Sequence, residues 1–503
     1  MSNPLALLLI TIPLAGCAPE PGAATSNGAT PLAVATADAA AAPSAPASLA
    51  STRPGEDWPQ FLGPRDNSVS GETGLLKTWP KDGPPVLWHR RLGEGYAPAS
   101  VRGKRVIVQH RERDREVVEC LHAESGDSLW KYDYETDFAD PYGYDGGTRC
   151  SPVISATHVF TLGPQGKLLC LELTSGQKVW ERNTTEEFQV SPNFFGAGCT
   201  PILDGERLIV LVGGTPDAAV VAFEGKTGKI LWQNIGHDTW KDEKPSDGGP
   251  LRYPWIREEK LVSYSTPILA TIHGQRHLLC LLRQGLVSLN PDDGALRFKY
   301  WFRSDDRESV NAARPVVIDD LVFLSAAYQT GSALLKVQRD GQGYDVVWRK
   351  PDGLSTHWNT AVHVDGYLYG FSGRHEHEAQ LQCIALKTGE LQWESNGFGT
   401  AFDELDIDPR SKKLLLRSSG KPAPFFGRGS LLLADGKFIA LGERGTLALI
   451  QPDPKKYVEL ATTNYTEIGV PSWSAPILSR GRLFIRSEGH LLCVDLLASK
   501  GSE

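Results

Sequence analysis

One short phrase is written again and again along this chain. "TGKILW" (227–232) has counterparts in "SGDSLW" (125–130), "SGQKVW" (175–180) and "TGELQW" (388–393). A turn and a Trp that recur in this way mean that one small unit is built many times, each copy needing its neighbours to bury its faces. The stretch "TPILDGERLIVLVGGTPDAAVVAFEGKTGKILW" (200–232) shows the unit complete. It reads as four short strands: one after Thr-Pro, one after a DG turn, one after a variable loop, and one after a TG turn that carries the Trp. The Gly of that last turn suits φ above zero, where a residue without Cβ meets no steric penalty.

Units begin near Pro98, Pro152, Pro201, Pro267, Pro315, Ala361, Leu431 and Pro476, eight in all. Eight four-stranded antiparallel units predict an all-β fold, an eight-bladed β-propeller. The 51 Gly, 34 Pro and single Met fit turn-rich β structure. Trp88, Trp130, Trp180, Trp232, Trp348 and Trp393 fall on outer strands, where a Trp is explained by docking on the next blade. Two copies of the phrase are worn: Phe298 follows Gly294 in place of Trp, and the seventh unit has only "KKYVEL". Trp240 lies in an insertion and is expected to contribute far less to stability than Trp232. The last unit, "APILSRGRLFIRSEGHLLCVDLLASK", stops after three strands, while a spare strand, "PVLWHRRL" (85–92), precedes the first unit. The spare strand is expected to complete the last blade and close the ring, leaving no open edge.

With these residues in view, "AFEGKTGKILW" resembles the tryptophan-docking motif of the pyrroloquinoline-quinone-like (quinoprotein) propellers, of rough form A-x-D-x-x-T-G-x-x-x-W. "DWPQFLGPRDNSVSG" (57–71) resembles the segment that opens many such repeat proteins. The resemblance spans about Asp57 to Leu496 and is architectural, since the family contains both quinone-dependent dehydrogenases and BamB-like envelope lipoproteins that are not enzymes. For a dehydrogenase it implies pyrroloquinoline quinone at the channel mouth, a disulfide between adjacent cysteines, a calcium held by acidic and amide side chains, and often a C-x-x-C-H haem site. Neither Cys-Cys nor C-x-x-C-H occurs, and no residue set for calcium can be placed. The expectation is a BamB-like binding or assembly scaffold with no cofactor; the alternative is a quinone-dependent dehydrogenase.

The ends of the chain carry a different message. Leu5 to Leu14 is apolar, too short to span a bilayer, and runs into Leu14-Ala15-Gly16-Cys17, which resembles a lipobox. Residues 1–17 are read as a lipoprotein signal peptide, with Cys17 lipidated. Residues 18–56, rich in Ala, Pro and Ser, cannot bury a core and are read as a disordered tether with a reach of roughly 35 Å. The propeller is assigned to 57–497 and a tail to 498–503. A net charge of −8 argues against a nucleic-acid surface. These features predict an exported monomer, anchored by lipid in the outer membrane and facing the periplasm.

Register also reads the cysteines. Cys120, Cys170 and Cys383 each stand six residues before the turn Gly, where other units have Ala222 or Ser288, and Cys493 holds the same place in the last unit. This is expected to be a small-residue slot beneath a neighbour's Trp, with Cys as a small buried hydrophobe. Cys150 and Cys199 stand two residues before the unit's first Pro, in consecutive units, where Ser265, Ala313 and Ser474 stand elsewhere; they are the one pair placed for a possible bridge. Cys280 reads as core.

Insertions fall at 135–150, 185–199, 236–264, 372–379 and 398–429, all on the face that joins strand 2 to strand 3 and one blade to the next. Long loops on a rigid scaffold are where binding resides, so an envelope protein or polymer is expected to bind there. Arg149, Asn193, Asn311, His357, Trp358 and Trp473 precede inner strands and are the candidate ligand-binding residues at the channel mouth. In "RHEHEA" (374–379), His375 and His377 read as a solvated loop rather than metal ligands, and "DELDIDP" (403–409) lacks the Gly of a calcium loop. No catalytic or metal-binding residue is assigned.

Overall fold

The computed structural model describes residues 51–191, 194–240, 263–306 and 309–497. The signal segment with Cys17, most of the proposed tether, Asn193 and the 498–503 tail lie outside the described residues. Eight four-stranded antiparallel sheets form the blades of a propeller: 100–135, 153–183, 202–234, 268–301, 316–350, 362–395, 429–464, and an eighth made of 477–495 with Val86–Arg91. We number them blades 1 to 8. A short hairpin, Leu405–Ile407 with Leu414–Leu416, stands between blades 6 and 7.

The strand patterns follow from the stacking. Second and third strands, such as Arg105–Glu112 and Arg115–His122, are buried at nearly every position because neighbouring blades cover both faces. The outer strand Ser128–Glu135 alternates half-buried with exposed, since one of its faces meets water.

Closure is as expected. Val86–Arg91 pairs antiparallel with His490–Asp495, placing Trp88 opposite Cys493. Every Trp assigned to docking then reaches the next blade in the same way. Its indole N–H donates to a carbonyl there: Trp88 to Ala123 (3.0 Å), Trp130 to Leu173 (3.1 Å), Trp180 to Gly225 (2.8 Å), Trp232 to Pro291 (3.1 Å), Trp348 to Leu386 (2.9 Å) and Trp393 to Asp453 (2.8 Å). For five of them the ring also lies on the next blade's turn glycine. A Cβ on Gly126, Gly176, Gly228, Gly294 or Gly389 would come within 2.5–3.1 Å of that ring. The turn glycine is thus needed twice, for its positive φ and as the floor beneath a Trp.

This geometry corrects the cysteine slot. Cys120, Cys170 and Cys383 pair across strands with Trp130, Trp180 and Trp393 of their own blade. They lie beside their own Trp; the residue beneath a neighbour's Trp is the glycine. A second correction concerns Trp240, which is only 4% exposed and packs edge-on against Trp301 at 6.0 Å between ring centroids. It belongs to the core between blades 3 and 4, so the expected contrast with Trp232 does not hold. Where the phrase is worn, other aromatics stand in. Phe298 meets Tyr344 of blade 5 at 5.4 Å between ring centroids, and the Tyr465 hydroxyl donates to Pro84 O (2.7 Å), just before the closing strand.

The opening segment has a task of its own. Trp58 exchanges backbone hydrogen bonds with Val101, Ile154 N donates to Pro59 O, Ser70 N donates to Leu433 O, and Leu433 N donates to Ser68 O. Arg314, its side chain fully buried, donates to Phe61 O (3.3 Å), Asp66 O (3.2 Å) and Asp66 Oδ1 (2.9 Å). Residues 57–70 therefore cross the DG-turn face and tie together blades on opposite sides of the ring. Leu62, Asp66 and Ser68 have φ near +61°, a conformation that non-glycine residues hold only when the surroundings impose it.

Candidate functional site: a blind aromatic cup

Because Phe61 and Leu62 close the channel from below, its open end is a cup. It encloses about 210 Å³. Its wall is written in one register. In seven of the eight units the third residue before the start lines the cup, as Arg149, Gly198, Tyr264, Ala312, Trp358, Arg428 and Trp473; in the first unit that residue is Gly95, and Tyr96 beside it takes the place in the wall. One turn deeper, the residue immediately before the start supplies Thr200, Thr266, Thr360, Ser430 and Ala475. Of the residues between those two positions, Tyr96 and Asn359 also line the cup, whereas Cys150, Cys199, Ser265 and Ser474 turn their side chains into the protein. Ser265 Oγ donates to Ala313 O (2.8 Å), Cys150 Sγ to Cys199 O (3.3 Å) and Ser474 Oγ to Tyr96 O, each acceptor being at the same position of the next unit. Cys199 Sγ donates to Ser263 O (2.8 Å). Cys150 thus takes the place of a serine in this unit-to-unit hydrogen bond, while the Cys199 thiol finds a carbonyl two residues earlier in the next unit. All seven cysteines among the described residues are free and buried. Burial pushes the thiols of Cys150 and Cys199 well up, which makes them poor nucleophiles.

The mouth is a chain of rings. Tyr96, Trp473, Trp358 and His357 follow one another at 4.8, 5.2 and 4.9 Å between centroids, and Tyr144 meets Trp473 at 5.6 Å. Phe195 stands between Tyr144 (6.0 Å) and Tyr264 (5.4 Å). Two guanidiniums lie over these faces: Arg428 over Trp358 and Trp473, and Arg149 over Tyr96 and Phe195. Both are neutralised. Arg149 donates to Asp140 Oδ2 (2.6 Å), and Arg428 Nε to Glu443 Oε2 (2.8 Å), while Glu443 Oε1 also accepts from the Trp473 indole (2.9 Å). Burial and then the Arg428 and Arg374 charges push the His357 imidazole down to about 3. It is neutral at physiological pH, with Nε2 3.3 Å from Tyr328 Oη.

Of the candidate residues, Arg149, His357, Trp358 and Trp473 come together in the cup. Asn311 does not line it: its amide donates to Leu282 O (2.8 Å) and Phe302 O (3.0 Å) behind the wall. Asn193 is outside the described residues. Tyr96, Tyr144, Phe195, Tyr264 and Arg428 were not singled out; strict use of the third-residue register finds Tyr264 and Arg428 and passes over Asn311. The other two sequence candidates are structural. Glu376 pairs with Arg444 and Glu378 caps the turn at Arg374 and His375; Asp406 pairs with Arg417, and Asp408 caps Ser411.

Among the described residues no three His, Cys, Asp or Glu side chains stand together to hold a metal ion. Neutralised arginines, indoles and a neutral imidazole do not make the acidic and amide set that the resemblance implies for a calcium-bound quinone. What the cup offers is apolar and aromatic surface with a polar margin.

The chain matches the family model described as "Outer membrane protein assembly factor BamB" over residues 67–182 and 113–395. A curated relative of that name from Yersinia pestis is 20% identical over 369 residues, covering 67% of this chain and 81% of the relative. Among solved structures, BamB from Moraxella catarrhalis superposes with a TM-score of 0.51 at 12% identity, covering 83% of this chain and 98% of that one. Quinohemoprotein alcohol dehydrogenase from Comamonas testosteroni gives a TM-score of 0.58 at 12% identity, covering 89% and 81%. At such identities the structural likeness speaks for the fold alone.

Proposed function

The chain belongs to the family described as outer membrane protein assembly factor BamB, and from that premise we propose that it is a non-enzymatic scaffold of the cell envelope. It binds an envelope protein or polymer at the long-loop face, acts without a cofactor, and is held to the outer membrane on its periplasmic side through lipid on Cys17. The observation that carries this reading is the cup: blind, ringed by long loops, and walled by aromatic groups whose neighbouring charges are already paired. Aromatic residues around a small concavity are what anchors on a partner protein require. The polypeptide enters the ring on the opposite, closed face, where Arg53 pairs with Asp495 and Arg480 with Asp57.

Two measurements test the reading. Cys17→Ala is expected to move the protein from the membrane fraction to the soluble periplasm, with the lipid mass gone from the N-terminal peptide; unchanged partition would refute the anchor. The purified body, examined by visible spectroscopy after incubation with pyrroloquinoline quinone and calcium, is expected to show no quinone absorbance and no dye-linked alcohol oxidation. A stoichiometric quinone band would establish the dehydrogenase reading instead.

A further inference from the structure

Between blades 1 and 2 lies a polar layer that the cup does not explain. The register of blade 1 pairs Arg111 with Glu116, Gln109 with Val118, and Glu116 with Tyr134, so Gln109, Glu116 and Tyr134 share one face of the sheet. Val118 and Cys120 of that face pack on Val159 and Leu169 of blade 2, which identifies the face as the one turned to blade 2. From the other side, Thr161 stands two residues along the strand from Val159 and so shares its face toward blade 1. The Tyr134 hydroxyl reaches across, close enough to Gly163 that a Cβ there would lie 2.1 Å from it. Gln109, Glu116 and Thr161 are 0% exposed. Yet both amide atoms of Gln109, both carboxyl oxygens of Glu116, the Tyr134 hydroxyl and the Thr161 hydroxyl have no hydrogen-bond partner within the protein.

Six such atoms in one seam would cost about 1–3 kcal/mol each if left dry, and native interiors satisfy groups of this kind with internal water. We propose that the seam between blades 1 and 2 is a closed hydration site, in which Gln109, Glu116, Tyr134 and Thr161 hold a cluster of ordered water molecules. Charges nearby argue against a cation as the occupant. Arg111, Arg486 and Arg149 act on Glu116 against the single opposing charge of Asp145 among the described residues that bear on it most, and Cys150 acts on Tyr134. Burial pushes the Glu116 carboxyl up to about 8, so it enters the cluster as a neutral acid that can donate a proton to water. Arg149, which belongs to the cup wall, is also among the charges that act on Glu116.

The sign of the pH dependence follows. The folded form holds the Glu116 proton more tightly than the unfolded chain, so this group's contribution is full below about 4.5 and is lost as pH rises to about 8. Thermal unfolding of Glu116→Gln, which keeps the shape without the ionisation, is expected to match the wild type at pH 4.5, to exceed it increasingly up to pH 8, and to keep a constant lead beyond. Thr161→Val is expected to lower the melting temperature by the same amount at every pH, which keeps the idea testable if the first variant fails to fold. A high-resolution crystal structure should show water within hydrogen-bonding distance of Gln109 and Glu116. Parallel melting curves for Glu116→Gln and wild type, a dry seam, or a cation ringed by oxygens at about 2.3–2.6 Å would each overturn the proposal.

Discussion

At the scale of single residues, the docking Trp is the position where sequence and packing speak most directly. Trp232 donates its indole proton to Pro291 O and lies on Gly294, whereas its neighbour Leu231 points to solvent at 48% exposure. Trp232→Ala is expected to cost about 3–5 kcal/mol in a denaturant melt, and Leu231→Ala less than about 0.5 kcal/mol. Equal losses would remove the docking account. Trp240 shows where periodicity misleads: it stands outside the repeat, but a one-turn segment (His237–Trp240) folds it back onto Trp301, and no repeat register carries that information. Cys150 and Cys199 were legible as a small-residue position but not as hydrogen-bond donors, because the acceptor carbonyls belong to other blades or their entry segments. Cys150→Ser is expected to fold with little loss, since it restores the donor found at Ser265. Native protein is expected to leave both thiols unlabelled by a thiol reagent until denatured.

At the scale of elements, blade 1 carries two buried glutamates with opposite behaviour. Glu116 and Glu119 stand three residues apart on one strand and so face different neighbours. Glu116 meets the polar seam with blade 2. Glu119 meets the closing strand and accepts from Arg90 (2.6 Å), with His110 Nε2 3.4 Å away. Burial alone would push Glu119 up, but His110, Ser128, Lys131 and Arg90 together hold it down at about 2. Its folded value lies below the unfolded one, so its contribution is present above about 4.5 and is lost as pH falls toward 2. Glu119→Gln is expected to destabilise the ring by about 1–2 kcal/mol at pH 7, the partly exposed Arg90 and Lys131 limiting the loss. Urea melts from pH 7 to pH 2.5 should show the gap closing; a gap independent of pH would mean that the clasp is not ionic. The closing strand itself was legible, because three strands at one end and one at the other can balance only by pairing. The clasp was not, since it joins residues of different blades that no local pattern connects.

At the scale of the whole molecule, the eight blades and their closure follow from the repeat, while the cup follows from the repeat and the opening segment together. The sequence shows that residues before each unit's start face the channel. It does not show that 57–70 crosses the ring and that Arg314 holds it there, which is what turns a channel into a blind cup. Of the six candidate site residues, Arg149, His357, Trp358 and Trp473 line the cup, Asn193 lies outside the described residues, and Asn311 stands behind the wall because its amide is consumed by the carbonyls of Leu282 and Phe302. Arg314→Ala is expected to loosen the floor, read as faster proteolysis between residues 57 and 70 with the blades still folded; unchanged cleavage would show that the floor does not depend on that guanidinium. The central claim is that the open face of the cup engages an envelope partner. Photo-crosslinking in intact cells tests it most directly, with the crosslinking residue placed in turn at Tyr144, on the rim of the cup, and at Val347, exposed on an outer strand. The account predicts a discrete envelope-protein adduct from position 144 and none from position 347; an adduct from 347 alone, or from neither position, would contradict it.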